Sequence, residues 1–294
     1  MQKHACYSDV FEGLHTLQGH EQQARSLSWK GKASMPCVIQ KFGGACFADT
    51  ERLFAVARKL MAWGPQPVVA VVSAQQGVTD QLIRQLRAVG GTTASPAMDV
   101  LLATGELQSA ALVAAALGHL GRRTEVVSPW SVFQTDAVCG NATIEAVHVH
   151  AIREALRCGV LPIVPGFIGA TAHGRLTTLG RGGADYSAVA LGVALGAERV
   201  ELYKAEVDGV YNADPHTVPE AQRFEVLTHA EALRLACAGG KVLQAKAAAL
   251  AYCWSMPVYV RPAFAPGPGT AIGIEQTRPC VATRNTPTTF SLLP

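Results

Sequence analysis

The chain has 294 residues, of which 49% are hydrophobic and 16% are charged, a composition typical of a globular protein with one two-lobed domain or two small domains. Its formal net charge is only +3, and no basic run is interleaved with aromatic residues, so a nucleic-acid partner is not expected. A few cations placed in one cleft would still suffice to bind an anionic small molecule.

Strands and helices are predicted to alternate along most of the chain. Residues 1–35 have weak periodicity and are predicted to form a polar, partly disordered leader, and residues 275–294 are predicted to form a tail. Apolar runs predict strands at about 37–40, 67–73, 125–127, 161–164, 199–203 and 257–261. Helices are predicted at about 49–63, 79–89 and 98–120, through 188–191, and twice after residue 228, with a hairpin at Gly166–Thr178. This alternation indicates an α/β protein whose mainly parallel sheet is covered on both faces.

The cysteines and the N-terminal residues both favour the cytoplasm. The eight cysteines include no C-x-x-C pair and no Cys/His cluster at zinc spacing, so we interpret them as reduced thiols and predict no metal site built from them. Residues 1–32 lack the apolar core of a signal peptide, and no stretch reaches membrane-spanning length. We therefore expect a cytoplasmic protein without a membrane partner.

The segment Lys41-Phe-Gly-Gly44 lies where the first predicted strand ends and a helix is about to begin. Gly43 and Gly44 allow backbone N–H groups to approach a phosphate, and Lys41 can neutralise the charge of a phosphoryl group in transfer. A Gly-Gly corner between a strand and a helix is also ordinary structural punctuation. The segment alone does not decide between these interpretations.

Ser73 and Thr79 flank the turn that follows the second predicted strand. Open α/β sheets bind their ligands at this edge, and the two hydroxyl groups could hold a substrate carboxylate. The alternative is structural, because Thr79 or Asp80 could instead start and cap the following helix.

Glu106 interrupts an otherwise apolar helical pattern. A carboxylate that faces a core must be paired, and a substrate ammonium group is one possible partner. A buried structural ion pair is the other.

The segment Leu179–Asp185 combines three glycines with an arginine and an aspartate. Arg181 offers a planar fork for a carboxylate or phosphate, and Asp185 falls in the first turn of the next predicted helix. A purely structural turn rarely needs this combination, so ligand binding is favoured here.

The segment Val207–Pro215 follows a predicted strand and combines carboxylates with an aromatic residue. Tyr211 could cover a nucleotide base, while Glu206 or Asp208 approaches a magnesium ion through water. Lys241 would be a second cation for phosphates. The alternatives are an Asx turn for the segment and a surface position for Lys241.

Taken in order, these segments resemble the catalytic domain of the aspartokinases, which are members of the amino acid kinase family. The resemblance extends from about Val38 to Ile272 and is carried by K-F-G-G, V-V-S-A-x-x-G-V-T-D, D-x-L-L-x-T-G-E, T-D-x-x-x-G-N-A, G-F-I-G, T-T-L-G-R-G-G-x-D, V-D-G-V-Y-x-A-D-P and G-x-K-V-L. It implies an α/β three-layer sandwich with an eight-stranded, mostly parallel sheet, the amino acid kinase or carbamate kinase-like fold. It also implies an acceptor lobe at about 36–178, an ATP lobe at about 179–274, and a homodimer.

The resemblance further implies a reaction: ATP, with Mg²⁺, would phosphorylate the side-chain carboxylate of L-aspartate or a close analogue to an acyl phosphate. The phosphoryl group would be bound by Lys41, Gly43 and Gly44, with Lys41, Gly44 and Asp185 as catalytic residues. The amino acid would be held by Ser73, Thr79, Glu106, Arg181 and Asp185. The nucleotide and its metal would be approached by Glu206, Asp208, Tyr211 and Lys241.

Several positions depart from the aspartokinase pattern. Ala45-Cys46 replaces Thr-Ser, Ala184 replaces Ser, His216 replaces Arg, and Lys204-Ala-Glu206 replaces Thr-Asp in a stretch that looks more like bacterial uridylate kinases. Each lost hydrogen bond costs about 0.5 to 3 kcal/mol, so activity on aspartate could be reduced or the acceptor could differ. A kinase for a nucleoside monophosphate and a catalytically silent nucleotide-binding subunit therefore remain as alternatives. About two dozen residues follow Thr270, so feedback control through paired regulatory domains is not expected.

Overall fold

The structure, a computed structural model, describes residues 36–215, 217–239 and 243–274. The predicted leader, the predicted tail and Lys241 lie outside the described residues.

The central layer is an eight-stranded sheet, with strand order β10-β12-β11-β9-β1-β2-β6-β3, in which β11 and β12 are antiparallel and the other pairs are parallel. A four-stranded sheet, β5-β4-β7-β8, lies beside it. The strands are β1 Val38–Phe42, β2 Val68–Val72, β3 Thr124–Val126, β4 Phe133–Thr135, β5 Ile144–Val147, β6 Leu161–Pro165, β7 Ile168–Ala170, β8 Leu176–Thr178, β9 Arg199–Lys204, β10 Val226–Leu227, β11 Val258–Pro262 and β12 Thr270–Ile272. The mostly parallel sheet and the hairpin, β7 with β8, are confirmed.

Helices cover both faces of the central sheet because its inner strands are apolar on both sides. They are α1 Thr50–Ala62, α2 Val78–Ala88, α3 Pro96–His119, α4 His150–Arg157, α5 Gly183–Leu195, α6 His229–Cys237 and α7 Ala245–Trp254. Ile39 and Val71 belong to a core cluster that includes residues of α5 and α7. Phe42 and Val72 belong to a second cluster with residues of α1 and α3. The result is the predicted three-layer sandwich.

Polar side chains cap the first turns of three helices, α1, α3 and α6. Asp49 caps α1 by accepting a hydrogen bond from the Arg52 N–H at 2.8 Å. Ser95 caps α3, whose first residue is Pro96, a position where the missing proline N–H costs nothing. Thr228 starts α6 with a reciprocal capping box.

Helix α3 corrects one expectation from the sequence. Its 24 residues contain a window with a mean hydropathy of 1.6, long and apolar enough to cross a membrane, so the prediction that no stretch reaches membrane-spanning length was wrong. Half of that window is buried inside the protein, where α3 packs against α1 and the sheet. Its apolar composition is therefore explained by its place in the core.

Candidate active site

Polar residues from four elements meet at the carboxyl ends of the central parallel strands. Lys41 is near the end of β1, Ser73 follows β2, and Lys204 ends β9. Asp185 lies in the first turn of α5. Because β1 lies between β2 and β9, this edge is the point where the chain winds away in opposite directions and where open α/β sheets bind ligands.

Asp185 pairs with two lysines at once. The Lys41 Nζ lies 2.7 Å from Asp185 Oδ1, and the Lys204 Nζ lies 2.9 Å from Asp185 Oδ2. Burial by itself raises the pKa of Asp185, but Lys204 and Lys41 outweigh it and hold that pKa below its usual value. The site thus contains an ionised carboxylate between two ammonium groups.

Glu106 is a second carboxyl group at the same edge. It projects from α3, is buried, and accepts a hydrogen bond from the Ala74 N–H at 2.8 Å. Burial raises its pKa to about 8, although the Ala74 N–H and Lys41 favour the ionised form. No ion pair to Glu106 is present among the residues that the structure describes. Its natural partner is therefore a cation brought by a ligand.

The turns after β1 and β2 pack directly against each other. Gln76 N–H donates to the Gly44 carbonyl at 3.1 Å, and a Cβ at Gly44 would lie 2.5 Å from the Ala74 carbonyl oxygen. Gly43 N–H donates to the Tyr203 carbonyl at 3.3 Å. Because this N–H is already engaged, the phosphate contact of Gly43 stays a prediction.

The structure excludes the structural alternative for the segment 73–79, in which a polar side chain caps the following helix. Helix α2 begins at Val78, its N-cap is Gly77 with φ +81°, and no side chain caps it. Ser73 and Thr79 are half-buried. The two residues lie on either side of the turn in which the Ala74 N–H donates to Glu106.

The glycine corner before α5 exposes Arg181 and aims the helix N-terminus at the site. Gly182 is the N-cap, with φ +77°, a conformation that favours glycine. Phe167, with φ +69°, is held beside the corner by two hydrogen bonds, from its N–H to Ser187 Oγ at 3.0 Å and from Leu179 N–H to its carbonyl at 2.9 Å. A positive φ is uncommon for a residue other than glycine, and the two hydrogen bonds hold Phe167 in this conformation.

A cavity of 790 Å³ opens beside the two lysines, within the size range of small-molecule sites. Its polar lining includes Lys41, Gly44, Arg181 and Lys204, and its apolar lining includes Val210, Leu235, Leu243 and Ile272. Ile272 ends β12, three strand spacings from β1, which is about 14 Å. The cavity therefore extends from charged groups at β1 to an apolar surface over β12.

The predicted nucleotide residues divide into two groups. Glu206 and Tyr211 line the cavity, and Glu206 accepts only a long hydrogen bond, 3.4 Å, from Gln76 Nε2 among the contacts described. Asp208 does not line the cavity. Its carboxylate accepts a hydrogen bond from Tyr211 Oη at 2.7 Å and forms an ion pair with Arg223 Nε at 3.5 Å. Asp208 thus fixes the tyrosine, and its approach to a metal stays a prediction.

Sequence reasoning missed Lys204 as a site residue. It was noted only as a departure from a family pattern. The signal that could have found it is its place at the carboxyl end of a strand that follows the glycine corner, since such strand ends meet at one edge.

The comparisons with known proteins agree with this geometry. The Amino acid kinase family model matches residues 36–262. An aspartokinase of Thermus thermophilus is 36% identical over 241 residues, covering 81% of this chain and 59% of the relative. An aspartokinase of Corynebacterium efficiens is 42% identical over 243 residues, covering 81% of this chain and 57% of the relative. The chain thus spans less than two thirds of the length of these curated relatives.

Solved structures give the same picture. Aspartate kinase from Synechocystis has a TM-score of 0.69 at 35% identity, covering 80% of this chain and 39% of that one. E. coli aspartokinase III in complex with aspartate and ADP has a TM-score of 0.69 at 28% identity, and the match covers 80% of this chain and 64% of that one. UMP kinase from Bacillus anthracis, with a TM-score of 0.60 at 18% identity, shows the shared fold alone. Because the family model matches more than half of the chain, this protein belongs to the amino acid kinase family.

Proposed function

We propose that this chain is an ATP-dependent phosphotransferase that converts the side-chain carboxylate of L-aspartate, or of a close analogue, to an acyl phosphate. The observation that carries the proposal is Glu106, a buried carboxyl group with no ion pair among the described residues, within electrostatic range of Lys41. An α-amino acid supplies the missing cation, whereas a nucleoside monophosphate does not. The names of the aspartokinase relatives support the same acceptor.

The amino acid would be held between Glu106 and Arg181. Each oxygen of Asp185 is already paired with a lysine, so the substrate ammonium group is assigned first to Glu106. Its positive charge favours the ionised form of Glu106 and offsets the cost of burial. Arg181, exposed beside the cavity, suits the α-carboxylate, because a guanidinium binds a carboxylate through two parallel hydrogen bonds. Ser73 and Thr79 would face the carboxylate that reacts.

The nucleotide would occupy the cavity with its base over the apolar end and its phosphates toward the lysines. Glu206 fits a magnesium ion, because its carboxylate lines the cavity with only a weak protein contact, and Mg²⁺ bound to phosphates needs few carboxylates. A magnesium ion held there would supply positive charge to the phosphates.

The chemical step needs alignment and charge neutralisation rather than a base. A carboxylate oxygen of the acceptor attacks the γ-phosphorus, the bond from that phosphorus to the bridging oxygen breaks, and the electron pair stays on ADP. The carboxylate is already ionised, so no proton is transferred. Lys41 offsets the charge of the transferring group.

The lobe assignment, a homodimer and a cytoplasmic location also remain proposals. The lobe assignment is supported by the placement of Ser73 and Glu106 on one side of β1 and the cavity on the other. The homodimer and the location rest on the family membership alone.

The experiment is ATP turnover with Mg²⁺ against aspartate, glutamate and UMP, with hydroxylamine present to trap an acyl phosphate as its hydroxamate. We expect hydroxamate with aspartate, equal in amount to ADP, and a loss of at least about 100-fold in Lys41→Met. ADP released with UMP would instead identify a nucleotide acceptor. ADP binding without turnover on any acceptor would support the silent subunit and contradict the proposal.

A further inference from the structure

Lys204 is the second lysine bound to Asp185 and lies at the carboxyl end of a central strand. It ends β9, its side chain is 18% exposed, and it lines the cavity beside Lys41. Both ammonium groups are bound to the same carboxylate, Lys41 on Asp185 Oδ1 and Lys204 on Oδ2. The two cations are therefore held side by side at the floor of the cavity.

This arrangement leaves a surplus of positive charge in a buried place. Two lysines share one ionised aspartate, and the other carboxyl group within range, Glu106, has its pKa raised to about 8 by burial, so at neutral pH it is largely protonated. Like charges close together in a low-dielectric site cost free energy unless an anion joins them. The surplus charge thus favours a polyanionic ligand.

The order of the strands separates the two lysines by function. Across the sheet the order is β11, β9, β1, β2, with the acceptor residues Ser73 and Glu106 on the β2 side. Lys204 is on the other side of β1 and continues directly into Glu206, Val210 and Tyr211, which line the cavity. Lys41 is therefore next to the acceptor, and Lys204 is next to the nucleotide.

We propose that Lys204 is a further catalytic residue, which binds the β-phosphate of ATP and neutralises the charge that develops on ADP as the bond to the γ-phosphorus breaks. The inference rests on the nucleotide part of the proposed function. The electron pair of the broken bond stays on the β-phosphate oxygen. Burial lowers the pKa of Lys204, and Asp185 at 2.9 Å opposes that effect by favouring the charged form. Lys41 remains with the transferring phosphoryl group.

The test measures the affinities of ADP and AMP by calorimetry in the presence of Mg²⁺, together with kcat. In Lys204→Met we expect ADP affinity to fall by about tenfold or more and AMP affinity to change by less than about twofold, because only ADP carries the β-phosphate. Turnover should fall by about 100-fold, and Lys204→Arg should recover part of both losses. Lys59→Met is the matched control, since Lys59 packs 4.8 Å from the Tyr203 ring and does not line the cavity.

The outcomes separate the inference from the proposed function. Equal ADP affinity in the unaltered chain and in Lys204→Met would overturn the role of Lys204, while leaving the nucleotide site intact. No ADP binding by the unaltered chain would contradict the proposed function itself. If Lys204→Met does not fold, Lys204→Gln, which can still donate a hydrogen bond to Asp185, gives the same comparison.

Discussion

Glu106 is the residue whose charge should control amino-acid binding. Replacing it by glutamine keeps its size and its oxygen acceptor for the Ala74 N–H but removes the negative charge. We expect Glu106→Gln to raise the KM for aspartate by about 10- to 100-fold, because a neutral amide cannot offset an ammonium charge. ADP affinity should stay unchanged. Steady-state kinetics and calorimetry measure the two effects separately.

The same residue gives the pH dependence a definite sign. Because burial raises the pKa of Glu106 to about 8, the carboxyl group gains its charge between about pH 7 and 9. The KM for aspartate should therefore fall over this range and stay flat in Glu106→Gln. Without ligand, the folded chain keeps a proton that the unfolded chain loses near pH 4.5. The free energy of unfolding should thus fall as pH rises toward 8. If the KM for aspartate depended on pH in the same way in the unaltered chain and in Glu106→Gln, the ionisation of Glu106 would be ruled out as its cause.

At the residue scale the sequence predicted the polar groups better than their contacts. Lys41 was singled out beside two glycines at a strand end, Glu106 because it interrupts an apolar pattern, and Asp185 because it follows a glycine-rich segment. The structure brings all three to one edge of the sheet. Lys204 was not singled out, because its contact with Asp185 joins residues of two different elements, 19 positions apart in the sequence. The spacing of the residues carries no signal of that pairing.

At the scale of elements, the close contact between the turns after β1 and β2 should be intolerant of any side chain. A Cβ at Gly44 would lie 2.5 Å from the Ala74 carbonyl oxygen, so Gly44→Ala must push the two turns apart. We expect a loss of about 1–3 kcal/mol in the free energy of unfolding and a lower kcat. Denaturant titration and turnover measure these. Gly64→Ala is the control, since nothing lies within 4 Å of its Cβ, and equal effects in both variants would refute the steric explanation.

Element length decided which elements could be predicted. The helices α1, α2 and α3 and the buried strands β1 and β2 were predicted within about two residues, because each has a clear period or apolar run. The strands β4, β5, β10 and β12 were missed. They have only two to four residues, too few to show a clear period. Two of them, β10 and β12, also depend on pairing with strands distant in sequence. Helix α4, eight residues long, was missed although its buried residues, Ile152 and Ala155, recur at helical spacing on one face.

At the scale of the whole molecule, the residues alone predicted an α/β protein with a covered parallel sheet but not the order of its strands. In that order β1 is central, between β2 and β9, and no local sequence pattern records this placement. The number of strands, eight, was expected only from the family resemblance. The consequence for function is large. The same topology that buries β1 on both faces creates the crevice at its end, with the proposed acceptor side and the proposed nucleotide side on opposite flanks.

The central claim is that a carboxylate oxygen of the acceptor attacks the γ-phosphorus of ATP. The most direct test uses aspartate labelled with ¹⁸O in its side-chain carboxylate, incubated with ATP, Mg²⁺ and hydroxylamine, followed by ³¹P NMR of the inorganic phosphate released. Hydroxylamine attacks the carbonyl carbon of an acyl phosphate, so we predict one ¹⁸O atom in each phosphate formed. Unlabelled phosphate would mean that water had hydrolysed ATP, and it would contradict phosphoryl transfer to the carboxylate.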